Sequence, residues 1–451
     1  MKFEEHFSPL SVLNVGVLAE RSSIEAKEKQ DRDGTNFEFG QADGDGVPPL
    51  VSALKASGRQ NAAKIGNHFS PEGPIPEAQK QAAKLFGASE TWFLVGGDFE
   101  FRFESKWSKI LDLEEAISQM NVIHVAGTNE KGSNLAIRLL ASEAQSTLCN
   151  FTQKVSIICR ILIMGTCSPG DYLIHPRNSH KSAISSLVLS GAIPKYIIPE
   201  YSYDWDIPDG VMPSQVENAI KELEKESKKA AAVFVPSPTY HGVCSKLSEI
   251  SEVCHNHGIP LIVDEAHGAH FGFSDQLPYS ALQQGADLVL QSTHKVLCSL
   301  TQSSMLHLST KTSVDRERIS MCLQSLQTTS PNNLLLASLD AARAQLNENP
   351  KTIFNEAINL ATETIYLLKN IPGISVLDSS SFPNFQTRDP LRLTLGFWQL
   401  GLSGYQANDI LHQDLMVICE LVGSRSLTFA FNLGTCREQI QRLVSAIQQE
   451  C

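Results

Sequence analysis

Two short polar runs follow apolar ones in this chain, and together they could do chemistry. LIVD leads into EAHG, which sets Asp264, Ala266 and His267 just past an apolar stretch. LVLQ leads into STHK, which does the same for Ser292, His294 and Lys295. In an open α/β sheet, ligands sit beyond the carboxyl ends of the strands, where both runs would emerge. A lysine amine there can form a Schiff base with an aldehyde, and a carboxylate can keep a pyridine nitrogen protonated. Those are two needs of pyridoxal 5′-phosphate (PLP). Its phosphate also requires hydroxyl, imidazole or backbone N–H donors, which Ser292 and His294 could supply. Read alone, Asp264 would be a helix cap and Lys295 a solvated surface lysine. The pair, each closing an apolar run, favours a cofactor site.

Such strand ends exist only if strands and helices alternate around them, and from about residue 165 they do. DYLIHP (171–176), KYIIPE, AAAVFVP (230–236), IPLIVDEAHG (259–268) and ADLVLQSTHK (286–295) are apolar runs of strand length. Between them lie SHKSAISSLVLSG, the amphipathic KLSEISEVCHNHG and the short ALQQG. This alternation predicts an α/β fold with a mostly parallel, doubly wound sheet. Upstream, PIPEAQKQAAKLFG carries Pro76 near its start and Gly87 past its end, the punctuation of a helix. Residues 331–370 read as helical and lead to a smaller C-terminal unit. There LRLTLGF and SLTFAFNLG read as strands and REQIQRLVSAIQQE as a closing helix.

The 451 residues suffice for one large and one smaller domain, and 42% apolar with 19% charged residues is ordinary for a globular enzyme. A net charge of −12 argues against nucleic acid and anionic membranes as partners and suits a cationic small molecule. The ten cysteines show no CxxC pair and no metal-ligand spacing, so free thiols in a reducing compartment are expected. No apolar run approaches a membrane span. MKFEEHF lacks an apolar signal core and carries early acids, so a cytoplasmic location is expected, with plastid import as the alternative.

STHKVLCSLTQSS resembles the PLP-attachment signature of the ornithine/lysine/arginine decarboxylase family, group 1, in its short, plant-like or Gram-positive form. CSPGDYLIHPRNSHKSAISSLVLSGAIPKYIIPE, VPSPTYHGVC, VDEAHGAHFGF and TTSPNNLLLASLDAAR are similar to that family as well. The resemblance implies PLP fold type I, the aspartate-aminotransferase-like fold, and α-decarboxylation of arginine, ornithine or lysine to a polyamine precursor. It further implies Lys295 as the Schiff-base lysine, Asp264 as partner of the pyridine nitrogen and His180 stacked on the ring. Ala266 would lie on the opposite face, with His267 and Thr239 near it, and Ser292 and His294 at the phosphate. Thr328 and Thr329 would reach the site across the interface of a homodimer. His180 could equally cap the helix it begins, and His255, His257 and His270 read as surface or loop residues.

Two departures stand out. After TWFLVGG the family runs into a Thr/Ser-Gly turn and a helix whose N-terminus binds phosphate; here DFEFRFESKW follows. Inside this replacement, VIHVAGTNEKGS is similar to the phosphate loop of folylpolyglutamate and dihydrofolate synthases, HVAGTxGKGS. Glu130 stands where those enzymes have Gly, which obstructs backbone approach and repels phosphate, so an inserted fragment is expected rather than a working ATP site. Upstream, NAAKIGNHFSPEGP lacks the expected PGH-type segment. The resulting division is a disordered lead-in (1–46), an N-terminal helical part (47–97), an atypical insertion (98–160), a PLP-binding large domain (161–345) and a small domain (346–451). Loss of the anchoring helix predicts impaired PLP binding. The alternatives are a non-catalytic homologue serving as dimer partner and, more weakly, an ATP-dependent ligase using Lys131 and Ser133.

Overall fold

The computed structural model describes residues 73–95, 123–124, 157–327, 332–378, 381, 387–413, 415 and 417–449. The lead-in, Thr328, Thr329, Lys131, Ser133 and most of the 98–160 segment lie outside the described residues.

Helix α1 (Pro74–Phe86) starts on a proline and ends at Gly87, whose φ of 72° is the left-handed cap position that favours glycine. Ile75, Ala78, Ala82 and Phe86 recur at helical spacing and form its buried face. Seven strands form the main sheet: β1 (Glu90–Val95), β2 (Tyr172–Pro176), β3 (Ile193–Ile197), β4 (Ala230–Pro236), β5 (Leu261–Asp264), β6 (Leu288–Gln291) and β7 (Ser303–Leu308). Their spatial order is β1-β7-β6-β5-β4-β2-β3. Every pairing from β6 to β3 is parallel, whereas β7 runs antiparallel to both of its neighbours. SSMLHL follows β6 with no α-helical crossover between them, which suits its antiparallel pairing.

Alternation along β5 shows how the sheet is buried on both sides. Ile262 packs with α2 (Ile157–Thr166), α3 (Lys181–Ser190) and α6 (Arg316–Leu326), while Leu261 and Val263 pack with α4 (Pro213–Lys225) and α5 (Leu247–Asn256). Across the chain's C-terminal part, α7 (Asn333–Glu348) and α8 (Asn355–Lys369) lead to a four-stranded antiparallel sheet ordered β8-β9-β11-β10. Its strands are β8 (Ser375–Val376), β9 (Arg392–Gly396), β10 (Leu421–Val422) and β11 (Ser426–Ala430). One core cluster joins α1, α7 and α8 to this sheet and to the closing helix α10 (Arg437–Gln449), so the two units share buried surface. The α9 helix (Gly404–Gln413) completes the small unit.

Two expectations change. ALQQG forms a turn, not a helix. Helix α2 begins at Ile157, inside the segment expected to be atypical through residue 160, and packs on α3 and α6 directly before β2. Its sequence, IICRILIMGT, is nearly all apolar and lacks the polar face that marks a surface helix, which hid it from pattern reading. Of the phosphate-loop-like stretch only Ile123–His124 is described, paired in parallel with Val417–Ile418. Among the described residues no helix is long and apolar enough to cross a membrane.

Candidate active site

Strands β5 and β6 are parallel neighbours with Leu290 opposite Asp264, so Asp264 and the turn after β6 emerge at the same edge. That turn is a short 3-10 helix, Thr293–Lys295, closed by Lys295 N donating to Ser292 O. It turns the lysine back over the strand ends. Lys295 Nζ stands 3.2 Å from His267 Nε2 and 5.5 Å from the centre of the Tyr240 ring. The Tyr240 ring in turn lies 4.4 Å from that of His267. Burial lowers the Lys295 amine below its ordinary value; the charges of Asp264 and Glu420 oppose this, and Arg392 adds to it.

Asp264 is 8% exposed. Burial raises its carboxyl, against the charges of Lys295 and His180 and the N–H of Ala266, which donates to Oδ1 at 3.2 Å. Its Oδ2 lies 3.9 Å from Cys159 Sγ, in the first turn of α2. The Ser182 hydroxyl donates to that sulfur at 2.9 Å and sits 2.7 Å from His180 Nδ1. His180 is also the N-cap of α3, with Ser182 N 3.3 Å from Nδ1, so capping and proximity to the site coexist. The first turn of α2, at the end of the segment expected to be atypical through residue 160, therefore abuts Asp264.

His294 has one ring nitrogen engaged by the backbone. Its Nδ1 donates to Ser303 O at 2.7 Å, and burial lowers its pKa to about 4. As a neutral ring it offers Nε2 as an acceptor, which suits phosphate poorly. Ser292 is buried beside it.

Several residues that the sequence did not single out converge here from the small unit. Arg392 of β9 donates from Nη2 to His267 Nδ1 at 2.9 Å, and its Nη1 is buried without a partner among the described residues. Its Nε lies 4.0 Å from Asp389 Oδ2. His270, read as a surface or loop residue, is instead 1% exposed and pairs with Asp389 at 3.0 Å. Burial raises the Asp389 carboxyl, but His270 and Arg392 outweigh it and hold the group below its ordinary value. Glu420, 7% exposed in the turn before β10, brings a second carboxylate to bear on Lys295. Arg392 and Glu420 lie far along the chain from the DEAH and STHK runs, so spacing gave no cue.

Behind the strand ends runs a second buried chain. Glu265 accepts from Ala281 N and from Gln291 Nε2, both at 2.7 Å. Gln291 Oε1 lies 3.1 Å from His307 Nε2, and His307 Nδ1 lies 2.8 Å from Thr91 Oγ1. It links β5, β6, β7 and β1 at the level of the site.

The donor set fits PLP. A buried carboxylate and a buried amine share one edge, and Thr293 Oγ1 and Arg392 Nη1 are buried donors with no partner among the described residues. Among the described residues no cluster suits a metal ion. Residues 110–401 match the family described as Orn/Lys/Arg decarboxylase, major domain. The chain is 36% identical to arginine decarboxylase of Bacillus subtilis over 290 residues, 64% of this chain and 58% of that one. It is 35% identical to arginine decarboxylase of Halalkalibacterium halodurans over 391 residues, 86% and 67% of the two chains. The crystal structure of Francisella novicida lysine decarboxylase LdcF superposes with a TM-score of 0.64 over 99% of this chain and 58% of its own, at 18% identity, which marks a shared fold. The chain thus spans about 58–67% of the length of these relatives. With the expected PLP fold type I observed and the match covering most of the described residues, the chain belongs to the Orn/Lys/Arg decarboxylase family.

Proposed function

We propose that this chain decarboxylates a basic amino acid (arginine, ornithine or lysine) with PLP held between Asp264, His180, Ala266 and Lys295. The observation that carries the reading is the convergence of Asp264, His267 and Lys295 with Arg392 and Glu420 at one sheet edge. When bound, the cofactor supplies an electron sink for the pair left on Cα as carbon dioxide departs. Asp264 would keep the ring nitrogen protonated, and burial strengthens that pairing by excluding water. Lys295 Nζ is the amine that would carry the cofactor and later return a proton to Cα, with His267 Nε2 beside it. Arg392 Nη1 would meet a substrate carboxylate. Glu420 is the buried carboxylate suited to the distal cation, which would account for a preference for basic side chains. The phosphate would draw on Ser292 and Thr293 more than on His294, whose ring hydrogen is given to Ser303 O.

The chain would work as a homodimer, with Thr328 and Thr329 of one protomer reaching the other's site. Borohydride reduction of the PLP-treated protein, followed by peptide mapping, tests the assignment. Label on Lys295 together with release of carbon dioxide from arginine, ornithine or lysine is expected. Label on Lys181 in its place would overturn it.

A further inference from the structure

We infer that Arg392, acting through His267, holds Lys295 as a neutral amine ready to accept an aldehyde. Hydrogen-bond polarity carries this. A guanidinium has donors and no acceptor, so the 2.9 Å contact from Arg392 Nη2 requires a lone pair on His267 Nδ1. An imidazolium has none, and a neutral ring with its lone pair on Nδ1 carries its hydrogen on Nε2. That hydrogen points at Lys295 Nζ, 3.2 Å away. An ammonium could only donate, which would set two donors against each other; a neutral amine accepts.

Arg392 cannot easily turn aside. Its Nε lies beside Asp389 Oδ2, and Asp389 is fixed by His270 Nε2 and by Leu391 N, which donates to Oδ1 at 2.9 Å. The groups acting on Lys295 are Asp264 from β5, Cys159 from α2, Tyr240 from the loop after β4, His294 from its own turn, Arg392 from β9 and Glu420 before β10. Asp264, Glu420, Cys159 and the face of the Tyr240 ring would favour the ammonium. The donor from His267 opposes them at closest range, and burial of His267 keeps its ring neutral.

The consequence for catalysis rests on the proposed role of Lys295, but the test reads the amine itself. Full-length protein freed of PLP is acetylated with trace acetic anhydride from pH 6 to 10, and Lys295 and exposed lysines are compared by peptide mapping. Lys295 should titrate at least about one unit below the exposed lysines. His267→Gln, which can accept from Arg392 and donate to Lys295, should keep the low value; His267→Leu should raise it by about the same unit. Lys295 titrating with the exposed lysines in the unaltered protein would overturn the inference, as would His267→Leu titrating like the unaltered protein. A low value in a protein that borohydride never labels at Lys295 would support the relay and remove the cofactor reading.

Discussion

Cys159 Sγ lies 3.9 Å from Asp264 Oδ2, which joins the first turn of α2 to the carboxylate at the end of β5. The sulfur also accepts from Ser182, which touches His180, so His180, Ser182, Cys159 and Asp264 form one chain. The Ser182 hydroxyl donates to the sulfur and the thiol to Oδ2, so both of these donors point toward the carboxylate. Cys159→Ala removes the last donor and should raise the Asp264 carboxyl. The acid side of the pH–activity profile should then move to higher pH, while Cys159→Ser restores it. Burial pushes the thiol far up, so it should also resist alkylation at pH 8 until the protein unfolds. Prompt labelling of native Cys159 would show that the α2 turn is not seated as described.

Glu420 offers a test of substrate choice. A hydrogen bond to a charged group contributes about 1.5–3 kcal/mol, roughly 10- to 150-fold in affinity. Glu420→Gln should therefore raise KM for the preferred basic amino acid by about that factor, with a smaller change in kcat. An unchanged KM with lowered kcat would place Glu420 with the reacting groups instead.

The large unit was legible because its signals are local. AAAVFVP and LIVD are short apolar runs with polar ends, and the parallel sheet follows from their alternation with helices. Asp264 and Lys295 were legible for the same reason, each closing such a run. Arg392, Asp389 and Glu420 were not, because their meaning comes from packing between the two units. Arg392 in LRLTLGF reads as one polar residue in a strand, and only the fold reveals that it is 2% exposed against His267. His270 was misread because burial of a polar residue depends on a partner more than a hundred positions away.

The His270–Asp389 pair makes a prediction in pH. Asp389 is held below its ordinary value in the folded state, so it contributes stability above the carboxyl's unfolded pKa, near 3.9, that is lost as pH falls through the folded value. Asp389→Asn leaves Arg392 buried without its counter-charge and should cost about 3–5 kcal/mol at pH 7. The difference from the unaltered protein should shrink on acidification toward pH 3. Urea unfolding at both pH values measures it. A difference independent of pH would mean that Asp389 contributes by packing alone.

Gly268 sets a steric limit beside the site. A Cβ there would lie 2.7 Å from Glu265 Cγ and 2.9 Å from Pro238, so the chain must approach closely after DEAH. Overpacking of this kind costs about 1–3 kcal/mol. Gly268→Ala should lower Tm and also weaken PLP retention, because His267 is its immediate neighbour. A variant with unchanged Tm and cofactor content would show that the loop has room to shift.

Glu265 titrates in the opposite sense to Asp389. Burial pushes its carboxyl up to about 8, against donors from Gln291 and Ala281. Its chain of partners can satisfy either state. With Glu265 ionised, Gln291 Nε2 donates to it, His307 Nε2–H donates to Gln291 Oε1, and the Thr91 hydroxyl donates to His307 Nδ1. With Glu265 protonated, the Gln291 amide turns over, Glu265 donates to its oxygen, and the hydrogen of His307 moves to Nδ1, facing Thr91. A folded pKa raised above the unfolded value near 4.3 means that the native state holds the proton more tightly. Stability should therefore fall as pH rises between that value and about 8. Glu265→Gln reproduces the protonated polarity, accepting from Ala281 N and donating to Gln291, so it should fold and lose this pH dependence. It should match the unaltered protein near pH 4 and exceed its stability at pH 9, as read by urea unfolding at the two values. A variant less stable than the unaltered protein at pH 9 would show that the ionised carboxylate is the state the fold is built around.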